Sequence, residues 1–221
     1  MRCVDKGAVP ANEDGTPSQF ADYRDAATHL KTRIGRYCSY CERFVPVSLA
    51  VEHKRPKHLH PALERDWDNF LLACANCNSH KLASDPGDHA VLWPDRDDTF
   101  AALTYLPTGK IVPTDGLIEA MSQAAAALLT LVGLDRSPKA ASNADHRWPD
   151  RMETWSVARQ SRDDLLALDT PEMRACIINT ATSRGCFSVW MAAFHDDPAM
   201  RAALINAFPG TVLRGPSAMA N

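Results

Sequence analysis

Two Cys-x-x-Cys pairs, Cys38/Cys41 and Cys74/Cys77, constrain this chain more than any other feature, because its fold must accommodate two knuckles whose inner cysteines are separated by 32 intervening residues. Four soft thiolates in two such pairs suit tetrahedral zinc. A closed four-thiolate site leaves no position for water or substrate, so this metal is expected to staple the fold and not to catalyse. Any chemistry must then come from residues between or beside the knuckles. Seven cysteines is an odd number, and spacing of this kind reads as metal binding in a reducing compartment, not as a disulfide framework. Cys3, Cys176 and Cys186 have no partner at metal spacing and read as buried small residues.

With 221 residues and 45% apolar content, the chain is long enough for one core and a second, smaller lobe. Its longest apolar run, Ala124 to Leu134, is about half of the ~20 residues needed to cross a bilayer, and Met1 to Lys6 offers no hydrophobic signal core. No membrane association and a cytoplasmic address are expected. The formal charge of −3 hides a division: from Lys31 to Lys81 nine basic residues face five acidic ones, and the remainder of the chain carries −7. A basic segment wrapped around the cysteine pairs points to a localised polyanion site. The acidic remainder suits a protein partner better than a nucleic acid.

Periodicity and turn signals divide the chain into residues 1–86 and 87–221. In the first part, the spacing of Phe20, Tyr23, Ala27, Leu30 and Ile34 predicts a helix over Ser18–Ile34, stopped by Gly35. Phe44–Val47 and Leu49–His53 read as a compact hairpin. Lys54–Arg65, with Pro56 and Pro61, reads as a surface loop; Trp67–Ala73 as an apolar anchor; and Cys77–Lys81 as the first turn of a short helix. In the second part, Leu103–Leu106 and Lys110–Val112 flank Pro107-Thr108-Gly109 as a second hairpin. Helices follow to Phe208, with one stripe at Leu117, Met121, Ala124, Leu128 and Leu131 and another at Met152, Trp155, Ala158 and Leu165. Thr170-Pro171 and Asp197-Pro198 are helix starts, and Ser137–Pro149 is the best internal linker.

The order of these motifs resembles the HNH (ββα-metal) endonucleases. The matching residues are Cys38-Ser39-Tyr40-Cys41, Val51 to Lys57, Trp67 to Cys74 and Cys77-Asn78-Ser79-His80-Lys81. Within that family, Met1-Arg2, Tyr37 to Glu42, Glu-His-x-x-Pro-Lys and Cys-Asn-Ser-x-Lys look like the bacterial nucleases of retron and Septu-type phage-defence systems, which resemble effectors bound to an ABC/SMC-like ATPase. The implied class is α+β: a zinc-stapled ββα-metal nuclease domain with an N-terminal helix, then a mainly α-helical lobe that binds a partner.

The resemblance implies roles residue by residue. His53 is the general base that deprotonates water, a task a neutral imidazole performs near cellular pH. Glu52 and Asn78 are hard oxygen ligands that would hold Mg2+ or Mn2+, and Asn69 braces the loop so that His53 keeps its orientation. Arg55, Lys57 and Lys81 are candidate phosphate contacts. Two departures matter: Glu52 is one methylene longer than the commoner Asp, and Asn78 stands where many members have His. Because water is the nucleophile, DNA and RNA are both possible substrates, with 5′-phosphate and 3′-hydroxyl products.

Other candidates read more plainly. His58 and His60 are solvated loop residues, His80 should not share a helix face with Asn78, and Asp95-Arg96-Asp97-Asp98 is a turn. Trp148, Trp155 and Trp190 are core residues, not base-stacking ones. The competing function is a non-catalytic zinc-knuckle nucleic-acid-binding module or an inactive adaptor, which would have no use for Glu52, His53 and Asn78 at these spacings.

Overall fold

Gly35, with φ +76°, ends α1 (Ala26–Ile34) and delivers the chain to the first cysteine pair. The helix starts later than Ser18 because a capping box at Asp22 opens a separate 3-10 turn over Tyr23–Asp25. The computed structural model describes residues 1–87, 91–137 and 145–214. β1 (Ala50–His53) runs antiparallel to β2 (Phe70–Ala73), with Ala50 opposite Ala73 and His53 opposite Phe70. α2 (Ala75–Lys81) follows β2, two residues earlier than the sequence suggests. The partner of β1 is therefore the apolar run after the loop, not Phe44–Val47. Pro46 lacks an amide donor, Ser48 turns back at φ +60°, and Phe44 keeps only an isolated bridge to Tyr37.

A short turn of helix, α3 (Thr99–Ala102), leads into the expected second hairpin, β3 (Leu103–Tyr105) against β4 (Ile111–Pro113). The helices are α4 (Glu119–Leu131), α5 (Arg147–Ala167), α6 (Pro171–Arg184), α7 (Phe187–Ala193) and α8 (Pro198–Ala207). Thr170 accepts the Met173 amide at 3.1 Å and Asp197 the Met200 amide at 2.9 Å, each with proline at the first helical position. The proposed linker lies partly outside the described residues, at 138–144, and its end, Arg147–Pro149, is the first turn of α5.

Helix faces differ from expectation in α4, where Ala125, Leu128 and Leu129 are buried while Met121, Ala124 and Leu131 are only half-buried, and in α5 and α6. α5 buries Arg147, Arg151 and Thr154 beside Trp155, Ala158 and Leu165, while Met152 is 46% exposed. Arginines enter the interior there because backbone carbonyls and acceptors receive them. On α6 the buried face is Ile177 and Ala181; Cys176, about 100° round from Ile177, is exposed, whereas Cys3 and Cys186 are buried.

Buried residues from Met1 to Phe208 form one contiguous hydrophobic cluster, and the two parts of the chain interlock through polar contacts as well. Val4 bridges to Thr211. Glu42, directly after the first cysteine pair, is buried and accepts the Ser188 amide at 3.0 Å and its hydroxyl at 2.6 Å. Its carbonyl accepts the Cys186 amide at 2.8 Å. Gly185, at φ +79°, makes this approach possible, since a Cβ there would lie 2.3 Å from the Glu42 carbonyl oxygen. Among the described residues no helix is long and apolar enough to cross a membrane.

Candidate functional site

Antiparallel pairing of β1 with β2 and the placement of α2 straight after β2 bring both cysteine pairs together. The sulfurs of Cys38, Cys41, Cys74 and Cys77 lie within 4.8 Å of one another, and all four residues are buried. This donor set fits zinc. Arg147, 1% exposed, donates to the Cys77 sulfur at 3.2 Å, so a cation from the helical part already faces the thiolates. Its remaining donors go to the Val132 carbonyl at 2.6 Å and the Gly133 carbonyl at 3.1 Å, and Asp145 pairs with it at 2.6 Å.

One strand end away, a cleft of about 440 Å³ is lined by Tyr23, Val51, Glu52, His53, Lys57 and Asn78, among others. The structure thus gathers three of the four expected catalytic residues around one opening. His53 is half-buried at the end of β1. Its Nε2 lies 2.9 Å from the Glu64 carbonyl oxygen, which can only accept; Nε2 therefore carries the hydrogen, and Nδ1 keeps its lone pair. Burial pulls the imidazole pKa below its ordinary value, partly offset by the Glu64 hydrogen bond. A neutral base is the result.

Asn69 stands behind the cleft and not in it. It is buried, accepts the Arg55 amide at 2.8 Å, and donates to the Arg55 and Leu63 carbonyls at 2.9 and 3.1 Å. These bonds tie both ends of the 54–65 loop, the same loop whose Glu64 carbonyl orients His53.

Glu52 is more enclosed than Asn78, although it lines the same cleft. Its carboxylate is 3% exposed and accepts the Tyr40 hydroxyl at 2.8 Å and the Lys81 ammonium at 2.8 Å. Burial raises its pKa, with Lys81 as the largest opposing influence. Lys81 is 0% exposed and also donates to the His53 carbonyl at 2.7 Å. The expected phosphate contact at Lys81 is corrected accordingly: the side chain is an internal counter-ion and does not face substrate. For a hard divalent ion, Asn78 offers an exposed amide, and Glu52 a carboxylate already compensated by an ammonium. Such a set fits Mg2+ or Mn2+ only when water and phosphate oxygens complete the shell.

The other basic candidates diverge. Lys57 lies on the cleft with its ammonium 4.4 Å above the Tyr23 ring and 3.1 Å from Glu64. Arg55 turns instead to Asp85 at 2.8 Å. His60 joins that cluster, 2.5 Å from Asp85, so it is not the solvated residue expected; its hydrogen bond is the main cause that pulls the Asp85 pKa down to about 2. His58 is exposed at the cleft edge. His80 faces Asp145 and Arg136, away from Asn78's opening. The acidic run is a turn: Asp95 receives Lys6 and Lys54, Asp97 the Trp93 amide, and Asp98 caps α3. Trp155 and Trp190 are buried and Trp148 donates to the Thr108 carbonyl.

Sequence reasoning missed Tyr23, Tyr40 and Arg147. In the sequence Tyr23 is one position of a helical stripe, and Tyr40 lies inside a knuckle whose cysteines dominate the pattern. For Arg147 the available signal was the neighbouring Asp145.

No curated protein matches the chain at a significant level. Residues 38–84 match the family model of HNH endonuclease, a segment running from the first zinc-type cysteine through β1, the braced loop, β2 and α2, and a domain of that kind supports metal-dependent nuclease activity in general.

Proposed function

We propose that this chain is an HNH-type endonuclease that hydrolyses phosphodiester bonds of DNA or RNA. One observation carries the reading: a neutral histidine whose Nε2 is fixed on the Glu64 carbonyl stands in a cleft shared with Asn78 and Glu52, beside a four-cysteine cage. A plain zinc-knuckle binder needs the cage but has no use for this histidine.

His53 Nδ1 takes a proton from water as that water attacks phosphorus. The Glu64 carbonyl accepts the Nε2 hydrogen throughout and stabilises the imidazolium that forms. Asn69 holds the loop and with it the Glu64 carbonyl, so the base does not rotate away from the water. Glu52 and Asn78 are the residues that would hold Mg2+ or Mn2+, which supplies charge stabilisation for the phosphorane and the leaving oxygen. Lys57 is placed to meet a substrate phosphate at the cleft. The products are 5′-phosphate and 3′-hydroxyl ends. Zinc on the four cysteines holds the two knuckles and leaves this chemistry to the cleft.

The finer reading is a cytoplasmic nuclease effector of a bacterial anti-phage system, working beside an ABC/SMC-like ATPase. Its support is the resemblance of the motif set and the acidic balance outside residues 31–81. The test is nicking of supercoiled plasmid and cleavage of a structured RNA in Mg2+ or Mn2+, comparing wild type with His53→Ala, alone and with an ATPase encoded nearby plus ATP. Loss of cleavage in a variant that keeps its zinc supports the role of His53. Equal activity in both proteins overturns it and favours the adaptor reading.

A further inference from the structure

Tyr23 lies thirty residues before His53 and outside the segment that matches the nuclease family, yet it forms a wall of the same cleft. Its ring centroid is 4.7 Å from that of the His53 imidazole, the planes tilted by 60°. Phe70, opposite His53 in the sheet, meets the imidazole edge-on at 5.3 Å. With Nε2 on the Glu64 carbonyl at 2.9 Å, the imidazole is held by two aromatic rings and one hydrogen bond. Rotation about either side-chain torsion would break at least one of these contacts.

The Tyr23 backbone is well placed to act as a wall. Asp22 accepts the Arg24 amide at 2.8 Å, and Asp25 accepts the Asp22 amide at 3.1 Å, closing the turn that carries the ring. Immediately behind, α1 is anchored in the core by Ala26, Leu30 and Ile34. The same ring receives the Lys57 ammonium at 4.4 Å, a cation–π contact typically worth ~0.5–1 kcal/mol at exposed sites. The Tyr23 hydroxyl has no hydrogen-bond partner among the described residues, so the contacts belong to the ring.

Resting on the nuclease reading above, we infer that Tyr23 is a positioning residue for the hydrolysis: its ring sets the plane of the His53 imidazole and seats the Lys57 ammonium at the mouth of the cleft. The active site thereby extends beyond the family segment to the turn before α1. Small displacements of a base are expensive, since a misplacement of ~1 Å can lower a rate by about 100-fold.

The test compares Tyr23→Phe and Tyr23→Leu in the zinc-loaded full chain. Tyr23→Phe retains kcat. Tyr23→Leu lowers kcat by about 10- to 100-fold, and the loss persists in a Lys57→Gln background but vanishes in a His53→Ala background, because the ring acts through the imidazole. A Tyr23→Leu protein as active as wild type, or a Tyr23→Phe protein as impaired as Tyr23→Leu, overturns the inference. A second readout needs no turnover: with 13C-labelled histidine, and His53→Gln for assignment, the His53 Cε1 and Cδ2 protons carry a ring-current shift in wild type and Tyr23→Phe that is reduced in Tyr23→Leu, where Phe70 alone remains. Equal shifts in wild type and Tyr23→Leu also overturn the inference. If wild type and His53→Ala cleave equally, the nuclease reading fails, and the shift alone decides whether Tyr23 orders the imidazole.

Discussion

Lys81 places its ammonium 2.8 Å from the Glu52 carboxylate with both side chains shut away from solvent. Removing one member of such a pair leaves the other charge uncompensated, a loss of ~3–5 kcal/mol in stability. Lys81→Met is therefore expected to unfold at markedly lower urea than wild type, and Lys81→Met/Glu52→Gln to recover part of the difference. The measurement is the denaturation midpoint of zinc-loaded protein. A loss under about 1 kcal/mol for Lys81→Met would place it with exposed pairs and show that Glu52 finds another partner.

Arg147 bonds the Cys77 sulfur from outside the cysteine segment. Four thiolates around Zn2+ leave two net negative charges, and a buried guanidinium is the nearby compensation. Arg147→Met is expected to weaken zinc retention about 10- to 100-fold, the range for outer partners of metal ligands. Arg147→Lys should restore only part of it, because an ammonium lacks the fork that also reaches Val132 and Gly133. Competition against a chromogenic chelator measures the effect, and an unchanged competition midpoint would refute it.

The pH profile follows from the burial of His53. Burial penalises the imidazolium, so the pKa falls below the ordinary ~6.5 and the neutral base persists into more acid solution. Lys57 and Lys81 push the same way, while the Glu64 carbonyl and carboxylate oppose. The rate of cleavage should rise with pH through that lowered value and level off above it. A profile of kcat/KM at fixed metal concentration checks this, and an acidic limb centred above about 6.5 would contradict it.

Gly185 gives a prediction about the seam between the two parts of the chain. Its positive φ and the 2.3 Å approach of a Cβ to the Glu42 carbonyl leave no room for a side chain. Gly185→Ala should cost more than the ~1 kcal/mol of an ordinary conformational mismatch, since backbone must move as well. Thermal unfolding of the zinc-loaded protein is the measurement; a melting temperature equal to wild type would show that the seam is loose.

Features with a local cause were readable from the chain. The cysteine spacing, the Thr170-Pro171 and Asp197-Pro198 starts and the Pro-Thr-Gly hairpin each depend on neighbours in sequence. Asn69's bracing bonds also stay close in sequence, reaching back 6 and 14 positions to the loop it holds. The partner of β1 was not readable in this way, because Phe44–Val47 and Phe70–Ala73 are both short and β-prone, and only Pro46 and Ser48 tip the choice. Glu52–Lys81, Arg147–Cys77 and Tyr23–His53 were hidden for a stronger reason: each joins residues about 30 or more positions apart, and the same letters would look like surface charges or a core aromatic in any other fold.

The seam through Glu42, Gly185 and Ser188 sets an order of events during synthesis. Every group of the cleft has been translated by residue 83, but the carboxylate beside the first knuckle gains its seryl partner more than a hundred residues later. A ribosome moving at ~5–20 residues per second needs about 5 to 20 seconds to cover that distance. Through that interval the emerging cysteine segment lacks the Ser188 amide and hydroxyl that hold the Glu42 carboxylate in the finished fold.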